Sequence, residues 1–209
     1  MKISHKHKFI FIRTAKTGST SILNAFNPHR IEEIYIPAKS NLVYIEGKEY
    51  DSNHLPLPIF KKLFLEYQSE DLFDKYFKFS FVRNPWDRIV SAWKYNIKHG
   101  YTEANTTLLG FINHLKSGES INSYKYLSQY DFVNGCDFIG KVENMQADFD
   151  IVCDKIGIPR QQLSFNNEPW ITNKTNHLHY TEYYDEETKQ IVEETCTKDI
   201  EYFGYEFGE

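Results

Sequence analysis

The segment FIFIRTAKTGSTSILNAF, residues 9–26, decides how the fold begins. Its first four residues form an apolar run that is typical of a buried strand. A short polar loop with a single glycine, Gly18, comes next, and apolar residues at helical spacing start at Ile22. The segment therefore predicts a strand, a loop and a helix in direct succession. In that arrangement the free amides at the start of the helix can face an anion.

The loop differs from the phosphate-binding loop of nucleotide hydrolases. That loop reads glycine, four residues, then glycine, lysine and serine or threonine, so its lysine follows its glycines. Here Lys16 comes before Gly18. Lys16 adds a positive charge, and Thr17, Ser19 and Thr20 add hydroxyls beside the backbone amides. We expect the loop to hold an anionic group.

A second strand-to-helix junction lies in FKFSFVRNPWDRIVSAWKY, residues 77–95. The run FKFSFV is rich in strand formers, and the Asn-Pro pair after Arg83 can start a helix. Arg88 and Ser91 are three residues apart and share a helix face. An arginine with a nearby hydroxyl is a good receptor for phosphate, although the same residues could simply brace a turn. Together the two junctions predict a ligand with two separate phosphate groups.

The composition is that of an ordinary globular chain. The 209 residues are 41% hydrophobic and 25% charged, which is enough apolar sequence for a real core. Strands and helices alternate along the sequence up to a closing helix over residues 185–203. This pattern predicts an α/β fold in which helices cover both faces of a mainly parallel sheet. No internal boundary is visible, so we expect one domain from residue 1 to residue 209.

Charge and cysteine content narrow the class of protein. The net charge of −5 argues against a nucleic acid partner, although residues 1–16 hold five basic residues and no acid, so a positive site can exist locally. Three scattered cysteines without metal-ligand spacing indicate a reducing compartment and no metal site. No apolar stretch is long enough to span a bilayer or to form a signal core. We therefore expect a cytoplasmic protein.

The two junctions resemble motifs of the sulfotransferases. Residues 16–20, KTGST, resemble the 5′-phosphosulfate loop, and residues 83–91, RNPWDRIVS, resemble the 3′-phosphate motif. The likeness is greatest to the carbohydrate branch, which includes heparan 2-O- and chondroitin sulfotransferases. DFIGKVENMQADFD, residues 137–150, and the ending at residues 183–207 extend the resemblance over most of the chain. The loop departs from the family pattern at two positions, where Ala15 and Ser19 replace a proline and a glycine.

This resemblance implies the fold, the reaction and the site. The fold would be a P-loop-hydrolase-like three-layer α/β fold. The sulfuryl donor would be 3′-phosphoadenosine 5′-phosphosulfate (PAPS), the product would be adenosine 3′,5′-bisphosphate (PAP), and no metal would be required. The residues assigned to the donor are Lys16, Thr17, Gly18, Ser19 and Thr20 at the first junction, Arg83 and Ser91 at the second, and Lys174 in the irregular late segment.

Two residues are assigned to catalysis. Lys16 would stabilise charge on the departing 5′-phosphate. His54, in DSNHLPLP, is the candidate general base because its place between the two motifs resembles that of the family's base segment. The alternative is that His54 caps a helix that starts near Pro58, in which case the next candidates would be His177, His179 or a carboxylate that the sequence does not single out. We expect activity to rise with pH through the histidine range.

The sequence specifies the acceptor less closely than the donor. The family implies a carbohydrate hydroxyl, and the acidic balance favours a neutral or weakly charged oligosaccharide or glycolipid. Two other functions stay open, an ATP-dependent phosphotransferase of the P-loop type and a non-catalytic module that binds a nucleotide or a glycan. The sequence does not indicate an oligomeric state.

Overall fold

The structure is a computed structural model that describes residues 2–26, 42–118, 123–163 and 178–209. In chain order its strands are β1 (Lys2–Ser4), β2 (Phe9–Ile12), β3 (Leu42–Ile45), β4 (Lys48–Asp51), β5 (Phe77–Val82) and β6 (Phe138–Lys141). Its α-helices are α1 (Ser19–Phe26), α2 (Leu57–Tyr67), α3 (Glu70–Asp74), α4 (Pro85–Lys98), α5 (Leu108–Ser117), α6 (Tyr124–Leu127), α7 (Tyr130–Val133), α8 (Met145–Ile156), α9 (Glu186–Thr195) and α10 (Thr197–Phe203).

A four-stranded sheet in the order β1-β2-β5-β6 forms the centre of the fold. Strands β2, β5 and β6 run parallel, and the short β1 pairs antiparallel with β2. Ile12, the last residue of β2, pairs with Ser80, two residues before the end of β5. The carboxyl ends of β2 and β5 therefore lie side by side. The predicted α/β fold with a mainly parallel, helix-flanked sheet is confirmed.

The two faces of β2 show why helices cover both sides of the sheet. Side chains alternate along a strand, so Phe9 and Phe11 point to one face and Ile10 and Ile12 to the other. The phenylalanines pack in a cluster with residues of α1 and α8, whereas the isoleucines pack with residues of α2 and α3. All four side chains are at most 1% exposed. Burial of each contributes about 2 kcal/mol to the stability of the fold.

Local signals set the boundaries near both junctions. The Asn84 side chain accepts hydrogen bonds from the backbone N–H groups of Trp86 and Asp87, and Pro85 is the first residue of α4, as predicted. Helix α2 begins at Leu57, one residue earlier than the expected start near Pro58. Its N-cap residue is Pro56, and no side chain caps it.

The prediction of one closing helix over residues 185–203 is wrong. The structure has two helices, α9 and α10, with Cys196 between them in a non-helical conformation. The hydroxyl of Thr195 donates to the carbonyl of Ile191, and the hydroxyl of Thr197 donates to that of Glu193. Threonine hydroxyls that bond to the preceding turn often bend helices, and these two threonines lie on either side of the break.

Candidate active site

Hydroxyl groups of the loop between β2 and α1 hold this loop in place by bonding to the loop backbone and to β5. Thr14 and Ser80 hydroxyls lie 2.9 Å apart, which ties the start of the loop to β5. Thr17, only 1% exposed, donates its hydroxyl to the Thr14 carbonyl at 2.9 Å. The Thr17 hydroxyl proton is thus used inside the loop, and what Thr17 can offer an anion is its backbone N–H. Gly18 has a φ of +68°, a conformation that favours glycine.

Gly18 also permits close packing beneath the loop. A Cβ atom at this position would lie 2.6 Å from the terminal methyl of Met145 in α8. Helix α1 begins directly after Gly18, with Ser19 buried and Thr20 partly exposed in its first turn. The N-terminus of α1 therefore follows the end of β2 closely, which is the position that suits an anion.

Lys16 lies between the loop and α4. Its Nζ is 3.7 Å from the centre of the Tyr95 ring, a cation–π contact with α4. Burial, followed by the nearby charges of Arg83 and Lys98, lowers the pKa of Lys16 to about 7. Like charges and burial both disfavour the protonated amine. A negatively charged ligand at this point would favour the protonated amine and so oppose both effects.

A hydrogen bond from Arg83 joins the second strand-to-helix junction to the first. Its Nη1 donates to the backbone carbonyl of Lys16 at 3.3 Å. On its other side, Nε and Nη2 each lie 2.7 Å from Oδ2 of Asp87, one helical turn away in α4. The Asp87 carboxylate orients the guanidinium without covering all of its donors, since an arginine has five. The two predicted anion-binding residues, Lys16 and Arg83, are thus direct neighbours.

The face of α4 that meets the loop carries Ser91. Ser91 is 4% exposed and precedes Tyr95 by four residues, so the two side chains share one helix face, and Tyr95 contacts Lys16. Arg88 lies on the same face, but it is 1% exposed and its Nη2 donates to the carbonyl of Lys125. Arg88 therefore belongs to the protein interior, and Arg83 is the arginine of this junction that remains partly exposed.

His54 lies beside the start of the first loop. Its Nδ1 is 3.0 Å from the backbone oxygen of Arg13, the residue that follows β2. Tyr124 holds the segment from the other side, since its hydroxyl donates to the His54 carbonyl and accepts from the Asp51 N–H. The alternative of a helix cap fails, because α2 has no side-chain cap. The imidazole instead contacts the loop that carries Lys16.

This contact fixes the chemistry of the His54 ring. A carbonyl oxygen can only accept, so Nδ1 carries the proton and Nε2 has the free lone pair of a base. Burial, followed by the charge of Arg13, lowers the pKa of His54 to about 3. The ring is therefore neutral at physiological pH. A neutral ring can take a proton, but the lowered pKa also makes His54 a weaker base than an ordinary imidazole.

Residues that the sequence did not point to complete the second junction. The side-chain amide of Gln129 pairs with both the N–H and the carbonyl of Arg83, and Glu143 accepts the Asn84 N–H at 2.6 Å. Tyr95 could have been found from its spacing of four residues after Ser91. Gln129 and Glu143 could not, because their partners lie 46 and 59 positions away in the chain.

Further predictions from the sequence concern the late irregular segment, a metal site and a membrane-spanning segment. Lys174 and His177 lie outside the described residues. His179 is exposed, and its Nδ1 lies 2.8 Å from the Thr181 hydroxyl. Within the described ranges, no group of three or more His, Cys, Asp or Glu side chains could hold a metal ion. Among the helices described, none is both long and apolar enough to cross a membrane.

Comparison with known proteins links this geometry to a family. A family model described as "Sulfotransferase family" matches residues 1–206. An uncharacterized protein of Archaeoglobus fulgidus is 34% identical over 93 residues, which cover 43% of this chain and 75% of that protein. Carbohydrate sulfotransferase 10 of Rattus norvegicus is 34% identical over 105 residues, and that of Pongo abelii is 32% identical over 103.

Each of these two matches covers 46% of this chain and 26% of the relative, so the aligned part spans about a quarter of the carbohydrate sulfotransferases. No solved structure matches the chain at the level that these relatives do. The family match extends over nearly the whole chain, including both strand-to-helix junctions and the segment that carries His54. This chain belongs to the sulfotransferase family.

Proposed function

We propose that this protein transfers the sulfuryl group of PAPS to a hydroxyl of a carbohydrate or glycolipid acceptor. The observation that carries the proposal is the meeting of Lys16 and Arg83 at the ends of β2 and β5, where Arg83 donates to the Lys16 carbonyl. Two cations from separate junctions suit a ligand with two separate anionic groups. The names of the carbohydrate sulfotransferase relatives support the acceptor class. We further propose that residues 1–209 form a single domain.

The donor fits the charges and amides of the site. The backbone amides of residues 17–20 and the Lys16 amine would hold the 5′-phosphosulfate, with Gly18 allowing the backbone to approach it. The lowered pKa of Lys16 supports this assignment, because an amine that is costly to charge alone gains from an anionic partner. Arg83 and Ser91 would hold the 3′-phosphate. Lys174 is retained as a donor-binding prediction from the sequence.

PAPS supplies a sulfuryl group bound to a phosphate that can leave. In the transfer, the acceptor oxygen forms a bond to sulfur and the bond from sulfur to the 5′-phosphate oxygen breaks. His54 Nε2 takes the proton of the acceptor hydroxyl, while its Nδ1–H stays bonded to the Arg13 carbonyl. Lys16 stabilises the negative charge that grows on the departing phosphate oxygen. The products are the sulfated acceptor, PAP and a protonated His54, which returns its proton to solvent.

A direct assay tests the proposal. The protein is incubated with PAPS labelled with ³⁵S and a panel of neutral glycans, glycolipids and small alcohols, without added metal. We expect label in at least one glycan or glycolipid product, and we expect PAP to bind with a Kd on the order of micromolar. Magnesium-dependent binding of ATP in place of PAP would instead favour a phosphotransferase. Binding of PAP without turnover on any acceptor would favour a non-catalytic module.

The site of action in the cell stays a prediction. The sequence predicts a cytoplasmic location. The cellular location of any acceptor that the assay identifies would test this prediction. Oligomeric state is measured most simply by light scattering of the purified protein, with and without PAP.

A further inference from the structure

Arg83 lies one residue beyond the last strand pair of the sheet. β5 and β6 are paired up to Val82 and Lys141, and no strand in the described part of the chain pairs with the backbone of Arg83. Instead, the Arg83 N–H donates to Oε1 of Gln129 at 2.9 Å, and the Arg83 carbonyl accepts from Nε2 of Gln129 at 2.8 Å. One side-chain amide thus completes both backbone hydrogen bonds, as a neighbouring strand would. Gln129 is 0% exposed.

Gln129 is held in turn by the C-terminal helix α10. Both carboxylate oxygens of Asp199 accept the Gln129 N–H, at 2.9 and 2.8 Å, and Oδ1 also accepts the Tyr130 N–H. Asp199 is 1% exposed, and burial raises the pKa of its carboxyl while the charge of the equally buried Arg88 opposes this rise. A continuous chain of contacts therefore runs from α10 through Gln129 to Arg83.

The next residue, Asn84, is fixed by different groups. Its N–H donates to Glu143, and its side-chain amide donates to the Glu206 carbonyl and the Tyr180 hydroxyl. The start of α4 therefore does not depend on Gln129. The hydrogen bonds that tie the first loop to the sheet, through Thr14 and Ser80, are also separate from it. Of the proposed donor-binding residues that the structure describes, Arg83 alone hydrogen-bonds to Gln129.

We propose that Gln129 is a positioning residue that gives the site its selectivity for a 3′-phosphate, by fixing the backbone of Arg83 at the end of β5. This inference rests on the proposed function, because it requires Arg83 to bind that phosphate. An arginine on a loosened backbone can still meet a phosphate, but ordering it upon binding costs free energy that a fixed arginine does not lose. Asp199 contributes indirectly by holding Gln129.

The test compares two ligands in a volume-conserving variant. Gln129→Met removes both hydrogen bonds to Arg83 and keeps the length of the side chain. We expect the ratio of PAP affinity to adenosine 5′-phosphate affinity, measured by calorimetry, to fall about tenfold, with adenosine 5′-phosphate affinity changed less than twofold. The matched control is Gln190→Met, since Gln190 is exposed on α9 and its amide donates to the carboxylate of Glu194 on the same helix. That variant should keep the wild-type ratio.

Asp199→Asn provides a second variant that keeps an oxygen acceptor for Gln129 and preserves volume; because it also removes the charge that acts on the buried Arg88, its folded state is checked by circular dichroism. We expect a smaller fall in the same ratio. A wild-type ratio in a folded Gln129→Met protein overturns the inference, and so does an equal loss of both ligands, which would give Gln129 a purely structural role. A wild-type protein with no preference for PAP would overturn the proposed function itself, and this outcome is distinguished by the wild-type measurement alone.

Discussion

The guanidinium of Arg83 donates to the backbone carbonyl of Lys16 across 3.3 Å, which joins two junctions that are 67 positions apart in the chain. The contact brings two cations to the same edge of the sheet, and Arg83 helps to lower the pKa of Lys16. In the absence of a ligand these charges repel each other. A ligand that brings one anionic group to each cation replaces this repulsion with attraction, so the two neighbouring cations favour a ligand with two anionic groups.

Lys16 should matter more for turnover than for binding. If its amine acts mainly on the charge of the departing phosphate, Lys16→Ala should lower kcat by about two to three orders of magnitude while PAP still binds measurably. Lys94→Ala is the matched control, because Lys94 also lies over aromatic rings of the protein, those of Trp93 and Tyr183. The control should turn over normally. A Lys16→Ala protein with near-normal kcat would remove Lys16 from the mechanism.

Donor binding should be coupled to the protonation of Lys16. In the ligand-free protein the Lys16 amine has a pKa of about 7. A bound anion raises this pKa because it favours the charged form. Binding above pH 7 therefore takes up a proton, and PAP affinity should fall by up to tenfold per unit between pH 7 and pH 9. Calorimetry in buffers with different ionisation enthalpies measures the proton uptake. Lys16→Arg stays charged over this range, so an equally steep fall in that variant would contradict the assignment.

Arg83 should read the 3′-phosphate selectively. Arg83→Ala is expected to weaken PAP binding by about a hundredfold and adenosine 5′-phosphate binding far less, because only PAP carries the second phosphate. Arg160→Ala serves as the control, since Arg160 also pairs with a carboxylate, that of Asp154, but on the exposed surface. It should leave both affinities unchanged. Equal losses for the two ligands in Arg83→Ala would show that Arg83 does not distinguish them.

His54 should act as a base across the physiological pH range. The rise in activity that the sequence suggested near the usual histidine pKa is not expected in the free protein, whose His54 pKa is about 3. A base is active above its pKa, so the pH profile of kcat/KM for the donor should show no His54 titration between pH 5 and pH 8. A clear histidine rise near pH 6.5 that disappears in His54→Ala would contradict the lowered pKa.

Asparagine at position 54 separates catalysis from structure. His54→Asn can still donate to the Arg13 carbonyl but cannot accept a proton, so kcat should fall by about two to four orders of magnitude. PAP affinity should be nearly unchanged, since the proposed anion contacts are at Lys16, Arg83 and Ser91. His114→Ala, at an exposed histidine of α5, should behave as wild type. Full activity of His54→Asn on a true acceptor would make His54 structural.

The sequence predicted those parts of the fold that local signals determine. The bounds of β2 and β5 and the Asn-Pro start of α4 agree with the structure, because apolar runs and capping residues act within a few positions. The edge strand β1 was not predicted, since its three residues include Lys2 and Ser4 and carry no strand pattern. The break at Cys196 was missed because the intact apolar spacing on both sides indicated one helix.

The sequence predicted which residues belong to the site better than it predicted how these residues contact one another. Lys16 and Arg83 could be selected from their motifs, but the sequence predicted two separate phosphate sites and not the contact between these two residues. The burial of Arg88 and the bond from His54 to Arg13 depend on how distant segments pack. The same is true of Gln129, whose contact with Arg83 arises from tertiary structure alone.

The left-handed backbone of Lys16, with φ at +67°, has a consequence for protein engineering. Such a conformation costs a side-chain-bearing residue about 1 kcal/mol or more, whereas glycine adopts it freely. Lys16→Gly should therefore unfold at a higher temperature than Lys16→Ala, although both lack the amine. A screen for thermal tolerance would tend to replace Lys16 by glycine and so recover an inactive protein. If Lys16 has the proposed catalytic role, its left-handed conformation exchanges stability for activity.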